Sequence, residues 1–345
     1  MKNEIWLKRF TLFAVLLACT VVALGAYTRL KDAGLGCPDW PGCYGNLTVP
    51  ESHTAIQEAN EAYPHRPVET EKAWAEMIHR YFASSLGLVI FTMLWLSFKA
   101  RKQNPDLPIV LPLLLSGLVV FQGLLGMWTV TLGLFPTVVM AHLLGGFSTL
   151  CLLFLFLVLL HKRTKAQQRD SSPSSAPNTL LKWGLAGIVI LVIQIALGGW
   201  TAANYAAAVC TELPLCQSGW QQHVNFSDAF KFWGHGVEDY EFATHLGTDA
   251  KITIHVAHRV GAIITSLYLG GLFLYLLGPA LVSTLSKRIA LVGLVILLTQ
   301  IALGVGNIVL KLPLAIAVAH NGVAAILMMT LILLTVNLAQ GGNRQ

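Results

Sequence analysis

The 345-residue sequence predicts an all-α polytopic membrane protein, with eight transmembrane helices forming two pseudo-symmetric four-helix bundles and both termini cytoplasmic. Three observations carry that expectation. Hydrophobic residues make up 55% of the chain, charged residues only 12%, and mean hydropathy is +0.63, a usage suited to lipid rather than water as the solvent. Eight apolar runs approach the roughly 20 residues that a helix needs to cross the hydrocarbon. The last four runs repeat the pattern of the first four.

Span one lies near residues 9–28, behind Lys2, Lys8 and Arg9. Its basic start and the small residues "ALGA" (23–26) imitate a secretory signal, but its internal counterpart, span five, cannot be removed as one, so span one is expected to stay. Spans two, three and four lie near 79–98, 108–130 and 136–160, with "KARK" (99–102) after the second and "HKRTK" (161–165) after the fourth. The Pro- and Ser-rich stretch "KAQQRDSSPSSAPNT" (165–179) reads as a flexible cytoplasmic linker between an N-terminal half, 1–164, and a C-terminal half, 180–345. Spans five to eight lie near 180–203, 253–277, 288–310 and 313–338, with Lys287 and Arg288 at the start of the seventh. Lipid offers no hydrogen bonds to the backbone, so all eight are expected as helices. Lys and Arg concentrate on the cytoplasmic side of membrane proteins, so these basic clusters place both termini inside. They also account for the formal net charge of +6 without a nucleic acid. No Arg- and Ser-rich, acidic-poor presequence precedes span one, which points to a bacterial inner membrane.

The repeat is specific. "GAYT" (25–28) answers to "GGWT" (198–201), and the same displacement carries Cys37 to Cys210 and Cys43 to Cys216. "IHR" (78–80) answers to "AHR" (257–259), "QGLLG" (122–126) to "QIALG" (300–304), and "AHLLGG" (141–146) to "AHNGVA" (319–324). Four spans per copy is an even number, so both copies share one orientation about an axis along the membrane normal.

Of eleven histidines, His79, His142, His258 and His320 lie in or at the lip of spans, each with a counterpart in the other half. Ionisable groups in a span default to function. Spans two, four, six and eight all run from outside to inside, so the four histidines sit at similar height in the outer halves of their helices, two per bundle. Facing histidines on two helices are how a haem iron is clamped from both sides. Zinc would require three or four close ligands, and two per bundle is too few. Arg29, Arg80 and Arg259 stand at the same outer level, available to haem propionates or as snorkelling residues at helix ends. His53, His65, His223, His235 and His245 fall in outer loops and read as surface histidines. The halves differ one helical turn before their first histidine: Glu76 precedes His79, whereas His255 precedes His258. Glu76 is therefore a candidate for proton transfer or for a structural ion pair with Arg80 or Arg29, and His255 a candidate neighbour of the second pocket.

With eight spans in two halves, the four histidines, the E-x-x-H pattern Glu76 to His79, and "GAYTRLKDAGLGCPDWPGC" (25–43), the chain resembles the haem A synthase family over nearly its whole length. That resemblance implies a membrane oxidoreductase that converts the C8 methyl of haem O to the formyl of haem A. His79 and His142 would hold the substrate haem, Glu76 would be the catalytic carboxylate, and His258 and His320 would ligate a haem B that relays electrons. It also implies haem O synthase as donor and a terminal oxidase assembly as recipient. The electron acceptor is unassigned, and a homo-oligomer is left open. Each Cys pair lies in an outer loop on the oxidising side, where disulfides persist, so Cys37 is expected with Cys43 and Cys210 with Cys216. These rings either pin the loops over the pockets or, as the family suggests for the first, take part in redox chemistry or haem delivery. Cys19 and Cys151 fall within spans as packing residues. Two rival readings are a b-type cytochrome drawing electrons from quinol, which shares every histidine, and a repeat-built transporter, which predicts a path near the midplane.

Overall fold

The computed structural model describes residues 2–166, 178–235, 239–278 and 282–342. Its helices are α1 (Lys2–Leu30), α2 (His53–Ala62), α3 (Thr70–Gln103), α4 (Val110–Thr131), α5 (Pro136–Ala166), α6 (Asn178–Ala203), α7 (Phe226–Ala229), α8 (Thr248–Leu277), α9 (Thr284–Val309) and α10 (Leu314–Gly342). All of these except the short outer α2 and α7 are long and apolar enough to span a membrane, eight among the described residues, as the apolar runs predict. Most of the linker expected at 165–179, residues 167 to 177, lies outside the described residues.

Helix α1 packs on α3 and α5, α4 closes the set against α3 and α5, and α6, α8, α9 and α10 associate in the same cyclic order. Each set encloses its own apolar core, one around Ile90, Leu150 and Phe156, the other around Leu269, Phe273 and Leu331. The two sets meet where α1 and α5 pack on α10 and α5 on α6. Outward-facing Leu88 and Leu267 are 71% and 72% exposed, the apolar surface expected of helices solvated by lipid tails.

The repeat extends to backbone conformation. Gly133 and Leu134, which turn the chain into α5, have positive φ, as do Lys311 and Leu312 before α10. In both turns the second residue donates back into the preceding helix, Leu134 N to Thr129 O at 2.8 Å and Leu312 N to Asn307 O at 2.7 Å. Left-handed φ is costly for residues other than glycine, so these turns are held by the bonds they make.

Two outer features depart from the sequence expectation. Helix α3 starts at Thr70 rather than near 79, because its first turns are buried under the Cys37–Cys43 loop. Ala73 and Met77 join Cys37, Cys43 and Tyr44 in a small outer core. Burial against protein thus prolongs a helix past the hydrocarbon, where hydropathy gives no signal. Helix α2 is an unanticipated short element, capped by Ser52, whose side chain accepts from Ala55 N at 3.2 Å.

Candidate functional site

A cavity of about 390 Å³ opens between α1, α3, α4 and α5. Glu76, His79 and Arg80 line it from α3, His142 from α5, and Gly25 and Arg29 from α1. His79 and His142 face each other with ring centroids 6.5 Å apart and planes at 87°. Two residues of the other half, Ala202 on α6 and Asn321 on α10, also reach this cavity, and Asn321 directly follows His320 in the chain.

Glycine shapes the places the histidines occupy. A Cβ on Gly25 would stand 3.0 Å from His79 Cε1, and one on Gly198 3.0 Å from His258 Cε1. A Cβ on Gly126 would be 3.4 Å from His142 Cε1, and one on Gly304 3.2 Å from His320 Cε1. All four histidines thus lie against glycines of a neighbouring helix at repeat-equivalent positions, packing that is tight for a Cβ at Gly25, Gly198 and Gly304 and ordinary contact at Gly126. The sequence motifs "GAYT", "GGWT", "QGLLG" and "QIALG" contain these glycines, but not their partners.

The residues fit a haem. His79, His142 and His320 each bury Nδ1 with no well-formed hydrogen bond, only the backbone of Val21, Gln122 and Gln300 standing beside their rings. Among the described residues no three His, Cys, Asp or Glu converge as a bare metal ion would require. His79 and His142 meet as a pair.

Glu76 is 5% exposed and is gripped from two sides. Cys37 N donates to its Oε2 at 2.9 Å, and Arg80 Nη2 donates to its Oε1. Arg80 also donates to the carbonyls of Asp39, Pro41 and Gly42, so the disulfide-closed ring Cys37–Cys43, the arginine and the carboxylate form one network. The C-terminal half repeats the design without the carboxylate. Arg259 donates to the carbonyls of Cys210, Glu212 and Leu215 around the Cys210–Cys216 disulfide, and its Nε donates to His255 Nε2 at 3.2 Å. Both arginines are thus anchored to loop carbonyls. Arg29 crosses between halves, donating to Ala202 O at 2.6 Å with its guanidinium 3.9 Å over the Tyr205 ring. Cys19 and Cys151 are free thiols packed at the helix cores.

The outer loop of the C-terminal half lies over the other half. Arg66 pairs with Glu241 at 2.6 Å and Asp239 at 3.0 Å, Tyr240 N donates to Gly133 O at 2.8 Å, and Thr137 Oγ1 donates to Phe232 O at 2.7 Å. Within it His245 is no ordinary surface histidine. Its ring lies 4.5 Å from that of His235 and 4.9 Å from Tyr240, and neither of its nitrogens has a partner. Burial, with the His235 and Lys251 charges, lowers its pKa from 6.5 to about 4. The unfolded ring takes up a proton before the packed one does, so the packing weakens as pH falls from 6.5 towards 4. Amide exchange at 240–246, corrected for intrinsic rate, is expected to rise over that window and to lose its pH dependence in His245→Phe.

A family profile of cytochrome oxidase assembly proteins, COX15-CtaA, matches residues 8–332. The chain is 47% identical to the heme A synthase of Shewanella oneidensis over 327 residues, covering 95% of this chain and 94% of that protein. It is 26% identical to the heme A synthase of Mesorhizobium japonicum, covering 95% and 89%, and 25% identical to that of Neorickettsia sennetsu, covering 91% and 93%. With the match running through all eight spans and both histidine pairs, the chain belongs to the COX15-CtaA family of cytochrome oxidase assembly proteins, the family of its heme A synthase relatives.

Proposed function

We propose that this protein is a haem A synthase of the bacterial inner membrane that oxidises the C8 methyl group of haem O to a formyl group. The N-terminal half, 1–164, takes the substrate between His79 and His142, and the C-terminal half, 180–345, keeps a haem B between His258 and His320. The observation that carries this reading is a buried carboxylate, Glu76, lining the same cavity as two facing histidines, with no carboxylate at the matching position of the other half.

Haem B, when bound, supplies an electron carrier beside the substrate. The chain supplies the rest. His79 and His142 orient the substrate macrocycle across the cavity. With the added oxygen taken from water, converting a methyl to a formyl group releases protons and passes electrons to an oxidant, and Glu76 stands where a base for the methyl carbon is needed. Cys37 N–H and Arg80 aim its two oxygens. The Cys37–Cys43 ring closes over Glu76 through the bonds of Arg80, and the 239–246 loop is tied to the neighbouring turn at Gly133. The sites face outward and both termini lie in the cytoplasm. Haem O synthase is the donor and terminal oxidase assembly the recipient.

A bis-histidine b-type cytochrome would share all four histidines but has no use for a buried carboxylate in one half. Protein purified from cells that make haem O is expected to yield haem B together with haem O or haem A on extraction and mass identification. Haem B alone would favour the cytochrome, and no haem would end both readings.

A further inference from the structure

The four histidines occupy repeat-equivalent glycine cradles, yet their rings are not held alike. In the C-terminal half, Gln194 Nε2 lies 3.0 Å from His258 Nδ1 and 3.1 Å from the His258 carbonyl oxygen, so one amide grips both ring and backbone. Gln194 sits on α6 one turn before Gly198, the glycine against His258. The matching position on α1, one turn before Gly25, is Val21, and His79 Nδ1 is buried with no side-chain partner, the Val21 backbone being the acceptor beside its ring. A second glutamine is present in both halves but reaches its histidine only in the C-terminal one. Gln300 lies 3.3 Å from His320 Nε2, and its counterpart Gln122 faces Gly145, where a Cβ would come within 1.8 Å of its Nε2.

The physical consequence follows from how a histidine binds iron. Coordination through Nε2 leaves a proton on Nδ1, and a partner there fixes the ring and raises its basicity. Gln194 can serve by a half-turn of its amide, which exchanges its bond to the His258 carbonyl for one accepted from Nδ1–H, since its Oε1 is buried with no other partner. Val21 offers His79 no side-chain group, only its backbone carbonyl. A resident cofactor benefits from a fixed ligand, whereas a site that must accept a substrate and release a product benefits from a looser one.

Resting on the division of labour proposed above, we propose that Gln194 is a positioning residue that makes the C-terminal pair the retaining haem site, and that the lack of a side-chain partner at Val21 lets the N-terminal pair exchange more readily. Loss of such an outer partner costs about 10- to 100-fold in affinity. Haem B transfer from purified Gln194→Val to excess apomyoglobin is therefore expected to be about 10-fold faster or more, with the reduction potential of the haem shifted upward. Gln194→Glu, a stronger acceptor of nearly the same shape, should shift the potential downward, a change of sign that a merely structural role would not give. Val21→Gln should slow release of haem O or haem A from the N-terminal half.

Transfer within twofold of wild type in Gln194→Val, with no shift in potential, overturns the inference. If Gln194→Val does not fold, the potential of Gln194→Glu decides: a downward shift supports the inference, and an unchanged value overturns it. Absence of haem B from the wild-type protein is a different failure, that of the division of labour itself.

Discussion

Replacing Glu76 by Gln is expected to abolish haem A formation while both haem sites stay loaded. Glutamine keeps the size of the side chain, and its amide can still accept from Cys37 N–H, the bond now made at 2.9 Å. What is lost is the capacity to take up a proton beside the cavity. General-base contributions run to about 10²–10⁴-fold, so the rate of haem A production should fall by at least about 100-fold. The check is the ratio of haem A to haem O extracted from the purified variant, with haem B as internal standard. A Glu76→Gln protein that still accumulates haem A to near the wild-type ratio would remove Glu76 from the chemistry and leave it a structural partner of Arg80.

The largest loss of stability is expected at Arg80. Its side chain is 12% exposed and that of Glu76 6%, so the pair is shielded from solvent. Removing one member of a buried pair strands the other charge, at a cost of about 3–5 kcal/mol. Arg80→Ala also leaves the carbonyls of Asp39, Pro41 and Gly42 without their donor, so the outer loop loosens together with the carboxylate. Arg66 provides the contrast. Its pairs with Asp239 and Glu241 are 30% exposed on the arginine side, and exposed pairs are worth about 0–1 kcal/mol. Thermal unfolding in detergent should therefore show a large drop for Arg80→Ala and a small, salt-dependent one for Arg66→Ala. Adding Glu76→Gln to Arg80→Ala should recover part of the loss, because it removes the stranded charge. Equal drops at Arg80 and Arg66 would contradict this account.

Much of this was legible in the sequence, for reasons of solvent and repetition. Lipid forces each long apolar run into a helix, so the eight spans follow from hydropathy, and the repeat pairs His79 with His258 and His142 with His320 before any contact is known. The six-residue spacing of the cysteines, placed in outer loops, likewise led to the disulfides Cys37–Cys43 and Cys210–Cys216. The early start of α3 was hidden, because Ala73 and Met77 are buried by protein rather than by lipid. Arg80 and Arg259 read as candidates for propionates at helix ends, and only tertiary structure brings the disulfide rings back over them. Gln194 left no trace because its counterpart is Val21, and a search for matched polar residues passes over a site that exists in one copy. The crossing of the 239–246 loop onto the other half was equally invisible, since Arg66 and Glu241 lie far apart in the chain.

The central claim is that two histidine pairs on one scaffold hold different haems. It is tested most directly by extracting the pigments of two double variants, His79→Ala with His142→Ala and His258→Ala with His320→Ala, purified from cells that make haem O. The first should keep haem B and contain neither haem O nor haem A; the second should lose haem B and, where it still binds haem O, leave it unconverted. Loss of haem B from the first variant, or the same pigment missing from both, would contradict the division between the halves.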